Sequence, residues 1–195
     1  MGCKMLEKIE DYQKFAIRTM KQEPVQRMML HCTMGMVGEL GELIEVGGLD
    51  SMKRSLELGD CLWYAANMCQ ILGLEIHEII AEAEARDREI IQSYDFLYMP
   101  PDIRAVIWAA QLTDIIKKEF FYGKEYVRGD VISILKKYIV AIVDLTYLHS
   151  LTVFGVARNN IAKLEARYPN LVFNADDAVN RNYEAEEEAT SQPVD

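Results

Sequence analysis

The sequence predicts an all-α fold, and three observations carry that prediction. Apolar residues recur at i, i+3, i+4 spacing through long blocks. Only five prolines occur, and none falls between Val25 and Met99 or between Asp102 and Tyr168. No segment sustains the period-two alternation of a half-buried strand. The expected architecture is a helical bundle made of helical hairpins in tandem.

Helices are expected near 3–21, 25–47, 50–72, 75–94, 103–121, 129–150 and 153–168. Gly47-Gly48 and Gly73 serve as helix stops, and Asp50 ahead of Ser51-Met52 serves as an N-cap. The Pro100-Pro101 pair marks an internal boundary between a first unit, 1–99, and a second, 102–173. Residues 174–195, with the acidic run Glu184 to Glu188, read as a solvated acidic tail. Tyr138 to Ala157 has about the length of a membrane span, but Asp144 and His149 interrupt it, so a buried core helix is expected and no membrane. The opening MGCKMLEKIEDY lacks the apolar run of a signal peptide, and Leu6 stands where a myristoylation motif needs Ser or Thr.

Across 195 residues, 50% hydrophobic and 27% charged, the composition excludes a disordered or collagenous chain. Basic residues number 21 against 31 acidic, a net charge of −10, which argues against a nucleic-acid partner met by a basic face. A nucleotide substrate stays open, because metal ions can carry its charge. The cysteines at 3, 32, 61 and 69 form no CxxC pair, and Cys61 and Cys69 lie in apolar runs. Reduced thiols and a cytoplasmic compartment are expected.

Two short motifs carry the chemistry. Gly38-Glu39-Leu40-Gly41-Glu42-Leu43-Ile44-Glu45 and Glu57-Leu58-Gly59-Asp60-Cys61-Leu62-Trp63-Tyr64 each set two carboxylates three residues apart, on one helix face. Val37, Leu40, Leu43 and Ile44 surround the first pair, and Leu58, Leu62 and Trp63 the second, which sets the acids near the core-facing stripe. Carboxylates gathered at a helix interface repel one another and lose hydration. They must protonate, pair with Lys or Arg, or bind a dication. Four oxygen donors without histidine or thiolate select Mg²⁺, Mn²⁺ or Ca²⁺ over zinc. Gly38, Gly41 and Gly59 weaken the helices beside the acids, as if a ligand or another backbone came close.

With these residues in view, the chain resembles the MazG-type nucleotide pyrophosphohydrolases of the all-α NTP pyrophosphatase superfamily. Their hallmark is ExxE, a spacer, then ExxD, here Glu39-x-x-Glu42 and Glu57-x-x-Asp60. ELGDCLWY is close to the family's wording. Asn160-Ile161-Ala162-Lys163-Leu164-Glu165-Ala166-Arg167-Tyr168-Pro169 resembles the C-terminal element of phage and bacterial members. In ordinary members that element follows soon after ExxD, whereas here it comes about 100 residues later. An internal duplication accounts for the layout, because Ile115 to Lys124 resembles the stretch that follows ExxE in long members. In that register Trp108 and Gln111 stand for the first acid pair, and Ile134 and Lys137 for the second. The second copy has then lost its acids but kept Asn160, Lys163 and Arg167, while the first reads Ala83-Glu84-Ala85-Arg86-Asp87 near the place of the Asn–Lys element.

The resemblance implies hydrolysis of a nucleoside triphosphate to monophosphate and pyrophosphate. Glu39, Glu42, Glu57 and Asp60 would hold Mg²⁺, with Mn²⁺ an alternative, and Glu39 or Glu42 would deprotonate or orient the water. Glu45 is a further candidate ligand. Asn160, Lys163 and Arg167 would contact phosphate or sugar. Tyr64, one turn after Asp60, is a candidate wall of the base pocket. Lys53 and Arg54 are candidates for phosphate or form a solvated basic turn, and Asn67 is a candidate polar contact. His31, His77 and His149 show no ligand spacing. Ordinary members assemble by dimerisation. A fused pseudo-dimer would supply the second protomer in cis, with a homodimer of such chains a further expectation. The competing readings are a non-enzymatic helical interaction protein descended from these enzymes and a structural Ca²⁺-binding bundle.

Overall fold

The computed structural model describes residues 6–46, 50–86 and 99–190. It is all-α, with no strand among those residues. A 3-10 turn at Ile9–Asp11 leads into α1 (Tyr12–Ala16) and a second 3-10 turn at Ile17–Thr19. There follow α2 (Val25–Val46), α3 (Ser51–Ile71), α4 (Ile76–Glu84), α5 (Pro101–Tyr122), α6 (Arg128–Leu148) and α7 (Val153–Arg167). Two short helices, α8 (Ala175–Val179) and α9 (Tyr183–Thr190), complete the described chain.

Local signals account for most boundaries. The Asp50 side chain caps α3 by accepting from the Lys53 N–H at 3.0 Å, and Thr152 caps α7 through the Gly155 N–H at 3.1 Å. Pro101 stands at the start of α5, where a missing N–H is harmless. Gly73 and Gly123 follow α3 and α5 at φ 63° and 62°, the left-handed conformation that stops a helix. The expected stop at Gly47-Gly48 and the stretch 87–94 of the expected fourth helix lie outside the described residues.

The α2–α3 and α5–α6 hairpins are built from helices of the same lengths, 22 and 21 residues in each. α2 packs on α3 and α5, while α3 packs also on α6 and α7. Buried side chains from both sides of Pro100-Pro101, including Met36, Leu40, Leu58, Leu62, Leu112 and Ile139, belong to one core. Asp144 of α6 binds Arg86 and Arg104, each at 2.9 Å, and so ties the end of α4 to the start of α5.

Three expectations need correction. The single helix expected over 3–21 is, in its described part, two 3-10 turns around a five-residue helix. Side chains end it, because Thr19 donates to the Ala16 carbonyl at 2.8 Å and the Trp63 indole donates to Thr19 Oγ1 at 2.8 Å. The apolar stretch Tyr138 to Ala157 is not the one core helix expected of it; the separate bounds expected at 129–150 and 153–168 hold instead, and α6 and α7 meet at a 99° bend. Among the described residues no single helix is long and apolar enough to cross a membrane. The solvated tail is docked as far as Thr190. Phe173 N–H donates to the Arg18 carbonyl at 2.9 Å, and Glu186 is 5% exposed. Cys32, Cys61 and Cys69 are free and buried, and Cys3 lies outside the described residues.

The α3–α7 contact is a close one that shapes the site. A Cβ on Gly59 would stand 2.9 Å from the Asn160 Cβ, so the two helices meet where α3 has no side chain. Gly38 and Gly41 have open space instead, so no backbone among the described residues makes the close approach expected there. Gly59→Ala should therefore cost about 1–3 kcal/mol by overpacking, whereas Gly38→Ala should add up to ~1 kcal/mol of helix propensity. Urea midpoints check both, and a neutral Gly59→Ala would contradict the packing.

Candidate metal and anion site

The hairpin α2–α3 brings the acid motifs together. Carboxylate oxygens of Glu39, Glu42 and Glu57 all lie within 4.8 Å of one another. Glu39 and Glu57 are half-buried and Glu42 is exposed. The expected apolar surround is only partly present. Leu40 and Leu43 are buried, while Val37 and Ile44 are 40% and 48% exposed, so the acids sit at the edge of the core stripe. Successive positions on a helix turn by 100°, and Met36, Leu40 and Leu43 already fill the inward arc. Glu45 is exposed and outside the group.

Asp60 is partnered differently. Its Oδ1 accepts from Asn160 Nδ2 at 2.9 Å, and its Oδ2 is paired with the Lys163 ammonium. Asn160 in turn accepts from the Tyr12 hydroxyl at 3.0 Å. Tyr12 and Asn160 are fully buried and Lys163 is 5% exposed, so a polar chain runs from α1 through α7 to the acid cluster. Two residues expected at substrate phosphate or sugar thus hold the fourth acid.

The electrostatics follow from this layout. Burial, then the charges of Asp60, Glu42 and Glu57, push the Glu39 carboxyl up to about 8, with Lys163 opposing. Burial and Asp60 also raise Glu57. Three carboxylates share one nearby ammonium, and that excess of negative charge, in an all-oxygen donor set, fits a hard dication.

These acids line a cavity of about 1020 Å³. His31, Trp63 and Tyr64 line it too, as an edge-to-face aromatic cluster with the Trp63 and Tyr64 ring centroids 4.8 Å apart and His31 5.4 Å from Tyr64. Tyr64 needs Gly35 opposite, where a Cβ would stand 2.2 Å from the ring. Burial keeps His31 below the ordinary histidine range, hence neutral near pH 7. Lys53, 69% exposed at its side chain, lies on the rim. Arg54 does not line the cavity, because it is buried with Nη1 3.0 Å from His149 Nδ1. Asn67 is likewise a core residue, donating to the Trp63 carbonyl at 2.9 Å.

One turn beyond Lys163, Arg167 of α7 forms a two-bond fork on Glu186 at 2.9 and 2.8 Å, and Arg181 forms a second at 3.1 and 2.6 Å. Burial pushes the Glu186 carboxyl up, but the hydrogen bonds from Arg167 and Arg181 outweigh it and hold it down at about 2. Sequence reading missed Tyr12, Gly35, His31, Arg181 and Glu186. Nothing in the run Glu184 to Glu188 distinguishes the one glutamate that turns inward. Comparison of the chain with protein-family models, curated proteins and solved structures gives no match.

In the metal-free protein Glu39 holds its proton to about pH 8, whereas its ordinary value is 4.5. The stability tied to this raised carboxyl is full below about 4.5 and is lost as pH rises to about 8. His31 and His149, both lowered, run the other way, so the informative readout is a difference. With chelator present, Glu39→Gln should gain melting temperature relative to wild type between about pH 5 and pH 8. A constant difference would remove Glu39 from the cluster.

Proposed function

We propose that the chain is a Mg²⁺-dependent nucleoside triphosphate pyrophosphohydrolase, similar to the MazG-type enzymes, that cleaves between the α and β phosphates. The observation that carries the reading is the convergence of Glu39, Glu42 and Glu57 within 4.8 Å, in a cavity that also holds Lys163 and Arg167. Glu39, Glu42, Glu57 and Asp60 are the residues that would hold the metal. The bound ions supply neutralisation of the triphosphate and activation of water.

The rest is done by side chains of the chain itself. Glu39 and Glu42 are the carboxylates in reach of the attacking water, and one of them accepts its proton. Glu39 suits that task because its crowded, half-buried setting raises its proton affinity. Lys163 is a buried point charge beside Asp60, suited to a phosphate, and Arg167 offers a planar fork. Lys53 adds an exposed cation at the rim. Tyr64, backed by Trp63 and His31, forms a wall on which a base can stack.

The duplication is part of the proposal, and two findings support it. The hairpins match in helix lengths, and the second carries no acid cluster at the corresponding place. Lys137 stacks over the Trp108 ring at 4.7 Å, so two of the four positions aligned with the acids meet as a cation–π pair. The second hairpin would then stand in for the partner protomer and deliver Asn160, Lys163 and Arg167 in cis.

Purified protein with Mg²⁺ should release pyrophosphate from one or more members of an NTP and dNTP panel. Glu42→Gln and Asp60→Asn should each lower kcat at least about a hundredfold. Folded protein whose melting shifts with Mg²⁺ or Ca²⁺, but which turns over no nucleotide, would replace the enzyme with a structural metal bundle. Folded protein with neither response would favour the interaction protein.

A further inference from the structure

Arg167 has a phosphate role in the chemistry above, whereas its partner Glu186 and the second arginine on it, Arg181, have none, yet all three stand in the same cavity. Arg167, Arg181, Glu186 and Glu187 all line it. Two guanidiniums converge on a single carboxylate through four N–H···O bonds of 2.6–3.1 Å, a geometry that suits phosphoryl oxygens equally well. The other cations of the cavity have more exposed partners. Lys21 and Arg27 pair with Glu23, and Lys53 with Asp50, at carboxylate exposures of 28% and 42%, against 6% for Glu186.

α9 packs against α7, with Ala185 and Ala189 half-buried beside Glu186 and Thr190. Its buried residues are Glu186 and Thr190, and the Thr190 hydroxyl bonds back into α9 itself at 3.0 Å. Tyr183 is 66% exposed, although Arg181 stacks over its ring at 4.7 Å. The helix therefore buries no large apolar side chain, and Glu186 is its charged anchor. It also carries Glu184, Glu187 and Glu188 beside a cavity read as the seat of a polyanion.

We propose that Arg167 and Arg181 form a two-guanidinium anion site for the polyphosphate of the substrate, and that Glu186 is its resident occupant in the free protein. The inference rests on reading the cavity as a triphosphate site. Exchange of a carboxylate for a phosphate conserves the charge-assisted hydrogen bonds on both arginines, so the cost of release is small. The incoming group carries more negative charge than the one that leaves, which drives the exchange. The remaining glutamates of α9 then repel the bound polyphosphate, so the helix lifts as the anion seats. Segment 175–190 is thus a strap that competes in cis with substrate.

Binding of inorganic tripolyphosphate, measured by calorimetry in chelator, tests this without any turnover. The comparison is wild type, Glu186→Gln, a chain ending at Asn174, and Glu78→Gln as an exposed charge control on α4, away from the cavity lining. Glu186→Gln and the shortened chain should bind at least about threefold more tightly than wild type, and Glu78→Gln should bind as wild type does. In wild type, tripolyphosphate should accelerate amide exchange over residues 183–190. Unchanged or weaker binding in both variants, no binding in any form, or unaltered exchange in wild type would overturn the strap. If a variant fails to fold, the wild-type exchange result decides. Failure to hydrolyse nucleotides with Mg²⁺ would remove the enzyme reading and leave this outcome untouched, and turnover without tripolyphosphate-dependent exchange would do the reverse.

Discussion

The Asp60–Lys163 ion pair is the constraint on which the site depends. Lys163 comes from α7 and Asp60 from α3, and the charged ends meet where Gly59 lets α7 close in. A buried ammonium is expensive unless paired and hydrogen-bonded. Here Asn160 takes the second oxygen of Asp60, and Tyr12 fixes Asn160 from below. Such a pair contributes less to net stability than to uniqueness, because only one register of α7 on α3 satisfies all four groups. It also supplies the one buried positive charge among the acids, without which Glu39, Glu57 and Asp60 would oppose the closing of the bundle.

The division between what the sequence displays and what it hides follows the range of the interactions. The hairpins are readable because their causes are local: Asp50 caps within three residues, Gly73 and Gly123 stop helices by their own backbone, and Pro101 starts one. The acid spacing is readable for the same reason, since three residues along a helix fix a shared face. Which face that is depends on how wide the core stripe is. That is a tertiary property, and it leaves Val37 and Ile44 outside where a local reading puts them inside.

The N-terminal segment and the tail are the misread parts, and both are governed by contacts far along the chain. Periodicity through Lys4 to Lys21 supports a helix, but Trp63 and Thr19 divert the Ala16 carbonyl region and the chain turns. The tail has the composition of a solvated segment, four glutamates within five residues. Its fate is decided by two arginines whose guanidiniums need an anion, one of them contributed by α7. Composition describes the average environment of a segment, and a single buried ion pair is enough to override it.

This arrangement explains how one cavity can hold both an excess of acid and a pair of arginines without collapse of one onto the other. In a single helical hairpin the cations would lie within reach of Glu39 and Glu42 and neutralise them. Here the acids belong to α2 and α3, while Arg167 and Arg181 lie at and beyond the end of α7 and are occupied by Glu186. A carboxylate supplied from α9 takes the hydrogen bonds of both guanidiniums, and although Arg167 still feels the charge of Asp60, Lys163 is the cation paired directly with the acid group. The protein therefore holds two groups of opposite sign, one short of cations and one whose arginines are filled by Glu186. Under the proposed function a metal-bound polyphosphate would satisfy both at once, with its ions on the glutamates and its oxygens on the arginines.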